Sequence, residues 1–345
     1  MNSTLASKNI TDIKTVNRTW APAIPTEIFD TYWRFAAERQ AIFFRRIKKA
    51  WGPWTKDPIL QEYKFTNAYR ASDRVSQYLI RNVIYQGDPA KEETFFRILI
   101  FKLFNKIETW EMLTSELGTV CYRTYSFKQY DHLLSRAMLN GQRIYSAAYI
   151  MPSGNSKFGY ARKHSNHLKL VELMMKERAY EKIASATNMA SAFEILRSYP
   201  TIGDFLAYQL VTDLNYSELT KFSEMEFVVP GPGAKSGIKK CFKSLGGLTE
   251  PEIILRVTKR QNEEFERLGI SFQDLGGRPL KLIDCQNLFC EVDKYARVAY
   301  PQSNGSGRTR IKQKFKPKYE LIDFWYPPKW AINTTFKKYI NHNME

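Results

Sequence analysis

The chain has 345 residues, 43% of them hydrophobic and 14% aromatic, which is enough apolar matter for a large core and excludes a disordered chain. Fifty-two Lys and Arg face 35 Asp and Glu, and a net charge of +17 favours a polyanion, nucleic acid above all, with no basic amphipathic anchor to suggest a membrane surface. No apolar run is long enough to span a membrane, "MNSTLASKNITDIKTVNRTW" lacks a signal peptide's apolar stretch, and the cysteines (121, 241, 285, 290) form no C-x-x-C pair. The expectation is a cytoplasmic chain with free thiols and neither metal nor other cofactor.

Residues 1–25 read as a loosely ordered lead-in. From Pro25 to Ala50 apolar residues recur at helical spacing toward a strongly basic end. "WGPWTKDP" then breaks the chain. "ILQEYKFTNAYRASDRVSQYLIRNVIYQ" predicts mostly helix, with Asn67, Arg70 and Arg74 along roughly one face. In "GDPAKEETFFRILIFKLFN", Asp88 is the expected N-cap and Pro89 opens the helix. Further helices are predicted at 106–118, 126–138, 167–184, 188–197, 203–213 and 249–268, while 140–160 reads as a short hairpin or a long loop. His164 and His167 in "KHSNH" form an incidental loop pair without a third metal ligand. The class is mainly α, with a helical domain over 26–320 in two lobes and a tail over 321–345.

The stretch "SYPTIGDFLAYQLVTDL" has the outline of a helix-hairpin-helix, whose turn (Thr201, Ile202, Gly203) lets backbone N–H groups approach a DNA phosphate; simple helix packing is the alternative. In helix-hairpin-helix DNA glycosylases a catalytic aspartate follows the hairpin glycine by roughly twenty residues, and Glu224 and Glu226 stand at that distance here. A carboxylate there can stabilise the oxocarbenium charge of a breaking N-glycosidic bond, although both candidates are Glu where the pattern has Asp, and surface or capping contacts are the other reading. Phe205 occupies the position where bifunctional members carry a Schiff-base lysine, which points to a monofunctional enzyme. "GPGAKSGIKK" is glycine-rich ahead of a helix, but its order is not the GxxxxGK[ST] of a nucleotide-binding loop. Gly231, Gly233, Lys235, Lys239 and Lys240, with Lys243 nearby, are therefore expected to meet DNA phosphate, or else to form a solvated basic helix. Arg308, Arg310 and Lys312 in "RTRIKQKFKPK" are expected to hold the DNA backbone.

Several blocks together, "WRFAAERQAIFFRR", "PWTKDPILQEYKFTNAYRASDRVSQYLI", "TIGDFLAYQLVTDLNYS", "EMEFVVPGPGAKSGIKKCF" and "LIDCQNLFCEVDKYAR", resemble the helical domain of bacteriophage 5-hydroxymethyl-deoxyuridine DNA kinases. Relatives of that domain carry the label alpha-glutamyl/putrescinyl-thymine pyrophosphorylase, and the resemblance covers about residues 30–315. It implies kinship with the helix-hairpin-helix DNA glycosylases, hence a two-lobed helical fold of that type, and some free-standing members are understood as antiphage glycosylases. It highlights Asp73, Arg74, Cys290, Glu291 and Lys294, and implies a base pocket of Trp54, Asn67, Arg70, Tyr208, Gln209 and Tyr295. Core anchoring and structural ion pairs are the bland alternatives for the same residues. The resulting expectation is a monofunctional DNA glycosylase that excises a hypermodified pyrimidine, such as a glucosylated hydroxymethylated one, from phage DNA. Its partner is double-stranded DNA carrying modified bases, with no obligatory protein partner. The alternatives are a non-catalytic DNA-binding module serving a 5-hydroxymethyluracil DNA kinase, or a cryptic nucleotide kinase.

Overall fold

In the computed structural model, residues 20–48, 51–147, 151–305, 308–317 and 323–342 are described; most of the expected lead-in lies outside them. Two units divide the chain, the first made of Met1–Asp73, Val228–Phe324 and Ala331–Glu345, the second of Arg74–Phe227 and Trp325–Trp330. Helices dominate both, in agreement with the mainly α expectation.

The first unit begins with Trp20, which is buried rather than loose: its indole N–H donates to Glu264 at 2.8 Å, and its ring meets Phe29 edge-on at 5.0 Å. Strand β1 (Ile24–Pro25) leads into α1 (Glu27–Lys48). Glu27 and Asp30 in the first turn, and Arg45, Arg46 and Lys48 in the last, complement the helix dipole. One face of α1 buries Phe29, Tyr32, Trp33, Phe35 and Phe43. Helix α2 (Pro58–Glu62) is capped by Asp57, whose carboxylate accepts from the Leu60 N–H at 2.9 Å.

The helix predicted over 59–86 is broken. After α2 the chain is non-helical until a single 3-10 turn at Arg70–Ser72, then forms α3 (Arg74–Tyr78) and a π-helical turn at Leu79–Ile84. The second unit continues with α4 (Lys91–Phe104), α5 (Ile107–Leu117), α6 (Phe127–Leu139) and α7 (Asn155–Phe158). It closes with α8 (Lys163–Lys176), α9 (Ala179–Ala184), α10 (Met189–Arg197) and α11 (Asp204–Leu214). Helix α4 is buried on every side from Glu93 to Phe104, and α8, α9 and α11 pack around it. Asp88 bonds the Ala90 N–H, but the helix starts beyond both Asp88 and Pro89.

The helix predicted over 167–184 is two, interrupted at Arg178, whose φ of 54° no helix interior tolerates. It also begins earlier, so His164 and His167 lie in α8 and are buried, not on a loop. Among the described residues of 140–160 there is a short helix and no hairpin.

Returning to the first unit, the chain forms α12 (Pro232–Cys241) and β2 (Phe242–Ser244), which pairs antiparallel with β1. Helices α13 (Glu250–Lys259) and α14 (Gln261–Arg267) divide the single helix expected over 249–268. Helix α15 (Leu282–Ala299) is the unit's centre, with α1, α12 and α13 against it. The last helix is α16 (Asn333–His342), whose Phe336 joins Phe43 and Phe324 in an aromatic cluster. Within the second unit, Lys329 donates to the carbonyls of Ser217 and Thr220.

Candidate nucleic-acid interface

The glycines of "GPGAKSG" serve packing. Gly231 is the buried N-cap of α12 and Pro232 fills its first position. A Cβ on Gly237 would lie 2.0 Å from the Phe289 carbonyl oxygen, and one on Gly233 3.1 Å from the Cys290 sulfur. Spaced four apart, these two share the helix face that rests on α15. The opposite face carries Lys235 and Lys239, with Lys243 just beyond on β2; all three are exposed and form no ion pair among the described residues. Lys240 is different. Its ammonium lies 3.2 Å from Asp293 and 3.1 Å from the Asn304 side-chain oxygen, and only 9% of its side chain is exposed, so it is committed to the fold.

Asp293 is the hub of this surface. Besides Lys240 it accepts from Ser236 at 2.7 Å and pairs with Arg297 one turn along α15. Burial pushes its carboxyl up, but the hydrogen bonds from Arg297 and Ser236 and the charges of Arg297 and Lys240 outweigh it and hold the group below the usual carboxylate range. Neither Asp293 nor Arg297 stood out in the sequence, although their spacing of four on a helix marks them as partners.

From Arg297 the positive surface continues into an extended segment. Arg297 donates to the Arg310 carbonyl at 3.2 Å. Ile311 is buried, and Arg310 and Lys312 on either side of it are exposed. The segment is fastened to the end of α2 by Lys64 N–H to the Gln313 carbonyl (3.0 Å), Phe315 N–H to the Glu62 carbonyl (2.9 Å) and the Lys314–Glu62 ion pair. Arg308 and Lys316 are exposed as well.

The residues expected to line a base pocket are divided between the units; Trp54, Arg70, Tyr208, Gln209 and Tyr295 are buried, and Asn67 is half-buried. In the first, Trp54 is 7% exposed with Arg46 over its ring, and the Tyr295 hydroxyl donates to Asp57 at 2.7 Å. Burial and the Asp57 charge push that phenol's pKa up. Asn67 receives Arg39 on its oxygen (3.2 Å), donates its amide to the Ser72 carbonyl (2.7 Å) and its backbone N–H to Asp73 (2.8 Å). The Arg70 N–H donates to Asp284, and Glu291 accepts from Thr66 while pairing with Lys294 at 2.7 Å. The irregular 63–73 segment is thus clamped between α1 and α15, which is why it can be non-helical and buried at once. Burial raises the Asp73 carboxyl to about 7, with Glu291 adding to it against the Asn67 N–H and Arg39. In the second unit Tyr208 is a core residue, and Gln209 lines a cavity of about 20 Å³, room for about one water and far too small for a base.

Helices α10 and α11 are joined by a tight turn in which Thr201 takes φ 69° and Gly203 is the exposed N-cap of α11. A Cβ on Gly203 would meet nothing within 4 Å, and its φ of −86° is open to any residue. Ile202 is buried beneath the turn. Glu224 and Glu226 lie in the following loop, and neither begins a helix; Glu226 is exposed and Glu224 partly so. Phe227 anchors that loop on Phe193 of α10 (5.1 Å) and Tyr208 of α11 (6.0 Å). Among the described residues no cluster of His, Cys, Asp or Glu fits a metal ion, and no helix is long and apolar enough to cross a membrane.

Comparison with known proteins adds three findings. The profile of the 5-hmdU DNA kinase helical domain matches residues 26–305. A curated relative, a 5-hmdU DNA kinase of Bacillus phage SP10, is 27% identical over 294 residues, which is 79% of this chain and 46% of the kinase. The chain therefore spans about half the length of that relative. No solved structure matches. Both matches carry the name of a DNA kinase and neither that of a glycosylase, so the expected monofunctional glycosylase, a hydrolase acting on N-glycosyl bonds, is corrected. With it goes the excision role assigned to Glu224 and Glu226.

Proposed function

Because the chain belongs to the family of 5-hmdU DNA kinase helical domains, we propose that it is the DNA-gripping helical module of a system that phosphorylates 5-hydroxymethyl-deoxyuridine in DNA. The observation that carries this reading is the basic surface of the first unit. Lys235 and Lys239 stand on one side of a helix whose glycines press its other side into α15, Lys243 follows on β2, and none of the three forms an ion pair among the described residues. Lys240, Asp293 and Arg297 link them to Arg308, Arg310 and Lys312. Exposed cations without carboxylate partners suit a phosphate backbone, because each phosphate bound releases counterions. Phosphoryl transfer is assigned to a separate kinase site, since these 345 residues contain no GxxxxGK[ST] loop and "GPGAKSG" is occupied by packing. In the second unit, the α10–α11 pair is proposed as a helix-hairpin-helix contact, with the open backbone at Gly203 facing phosphate.

A gel-shift titration with duplexes carrying 5-hydroxymethyluracil or thymine, run beside a labelled-ATP transfer assay, tests the proposal. The module is expected to retain duplex DNA and to transfer no phosphate alone. Failure to retain either duplex at low salt contradicts the DNA-binding role; labelling of DNA by this chain alone contradicts the non-catalytic one.

A further inference from the structure

The positive segment reaches the turn that carries an exposed tryptophan. Phe315, the last anchored residue of the basic segment, meets Trp54 edge-on at 6.4 Å, and Arg46 from the end of α1 lies 5.8 Å from the same indole. Trp54 is buried, but Trp51, three residues earlier in the "WGPW" turn, is 65% exposed, the most exposed aromatic ring among the described residues. An indole offers a broad apolar face with a polar edge, so an exposed one is suited to a flat, partly polar ligand such as a base. Its surroundings are cationic: Lys48 and Lys56 are exposed nearby in sequence, and the neighbouring Glu38 is held by Arg45 and Thr55. An apolar protein partner gains little from such a setting, whereas a nucleobase beside its own phosphates gains from both ring and charge.

We propose that Trp51 is a base-stacking residue at the end of the phosphate track formed by Arg308, Arg310, Lys312 and Lys316. This deepens the DNA-binding reading and rests on it. The indole would lie against a base that is unstacked or at a step edge, and the cations would follow the adjoining backbone. No base pairing is read, so the contact tolerates any sequence and prefers strands that open easily.

The test measures binding of the full chain to a duplex bearing 2-aminopurine at the modified position, for wild type, Trp51→Ala and Trp51→Phe, at several salt concentrations. Trp51→Ala is expected to lose about 5- to 100-fold in affinity at unchanged salt dependence and to abolish the 2-aminopurine response, while Trp51→Phe retains most of both. Wild-type binding equalled by Trp51→Ala, with the response intact, overturns the stacking role and leaves the DNA-binding reading standing. Absence of wild-type binding overturns that reading and this inference together. Thermal unfolding of the variants, expected to match wild type because the ring is exposed, separates either result from misfolding.

Discussion

Gly237, inside α12, and Gly203, the N-cap of α11, have opposite surroundings. A methyl on Gly237 collides with backbone at 2.0 Å, and backbone on a buried helix cannot step aside. Gly237→Ala should therefore destabilise the first unit by about 1–3 kcal/mol, at the upper end of ordinary overpacking, as read by denaturant unfolding. Gly233→Ala, which presses on a cysteine side chain at 3.1 Å, should cost less. Gly203→Ala adds its methyl to open space at an ordinary φ, so stability should change by less than about 1 kcal/mol. A fall in DNA affinity with unchanged stability is expected for that variant, and unchanged affinity would remove the hairpin from the interface. The sequence could not separate the two glycines because the backbone that confines Gly237 comes from Phe289, distant along the chain.

Helix α8 begins before both of its histidines. The pattern of "KHSNHLKL" promised a helix but gave no reason to start it before the histidines. In the structure the His167 Nε2 faces the Pro152 carbonyl at 2.8 Å and so carries the proton, leaving Nδ1 to accept from the Tyr145 hydroxyl at 2.8 Å. Burial drives this imidazole down to about 4, and burial lowers His164 as well. The folded ring is neutral where an unfolded one, titrating near 6.5, takes up a proton. The second unit should accordingly lose stability as pH falls from about 6.5 toward 4, by up to about 3 kcal/mol from His167. Asp73 works the other way in the first unit. Its carboxyl keeps a proton up to about 7 when folded and to 3.8 when unfolded, so that unit gains stability as pH falls through the same window. Tryptophan and tyrosine fluorescence melts of His167→Gln and Asp73→Asn should flatten the two trends separately; a common slope for both variants would contradict the assignment. The boundaries of α1, α5, α6, α10 and α11 were legible because each carries its own apolar period and its own stop. The 63–73 segment was not, since side chains from α1 and α15 override its helical pattern.

For the whole molecule, a charge of +17 pointed to a polyanion, and the family match names DNA kinases. Between those two facts the sequence led to the wrong chemistry. A carboxylate some twenty residues after a hairpin glycine is compatible with catalysis, but a connecting loop tied down by Phe227 gives the same spacing. The cations were easier to read than the carboxylates, because exposure is the default for lysine and arginine and needs no partner to explain it. What the sequence hid was which of them are spent: Lys240 on Asp293 and Lys314 on Glu62, leaving Lys235, Lys239, Lys243, Arg308, Arg310 and Lys312 to act. The most direct test is the salt dependence of duplex binding for wild type and for variants in which these six are replaced by alanine one and then two at a time. Tight low-salt binding is expected, weakening steeply with salt, with the logarithmic slope shrinking by about one for each cation removed. Binding that is absent at low salt, or a slope that the six replacements leave unchanged, would contradict the account.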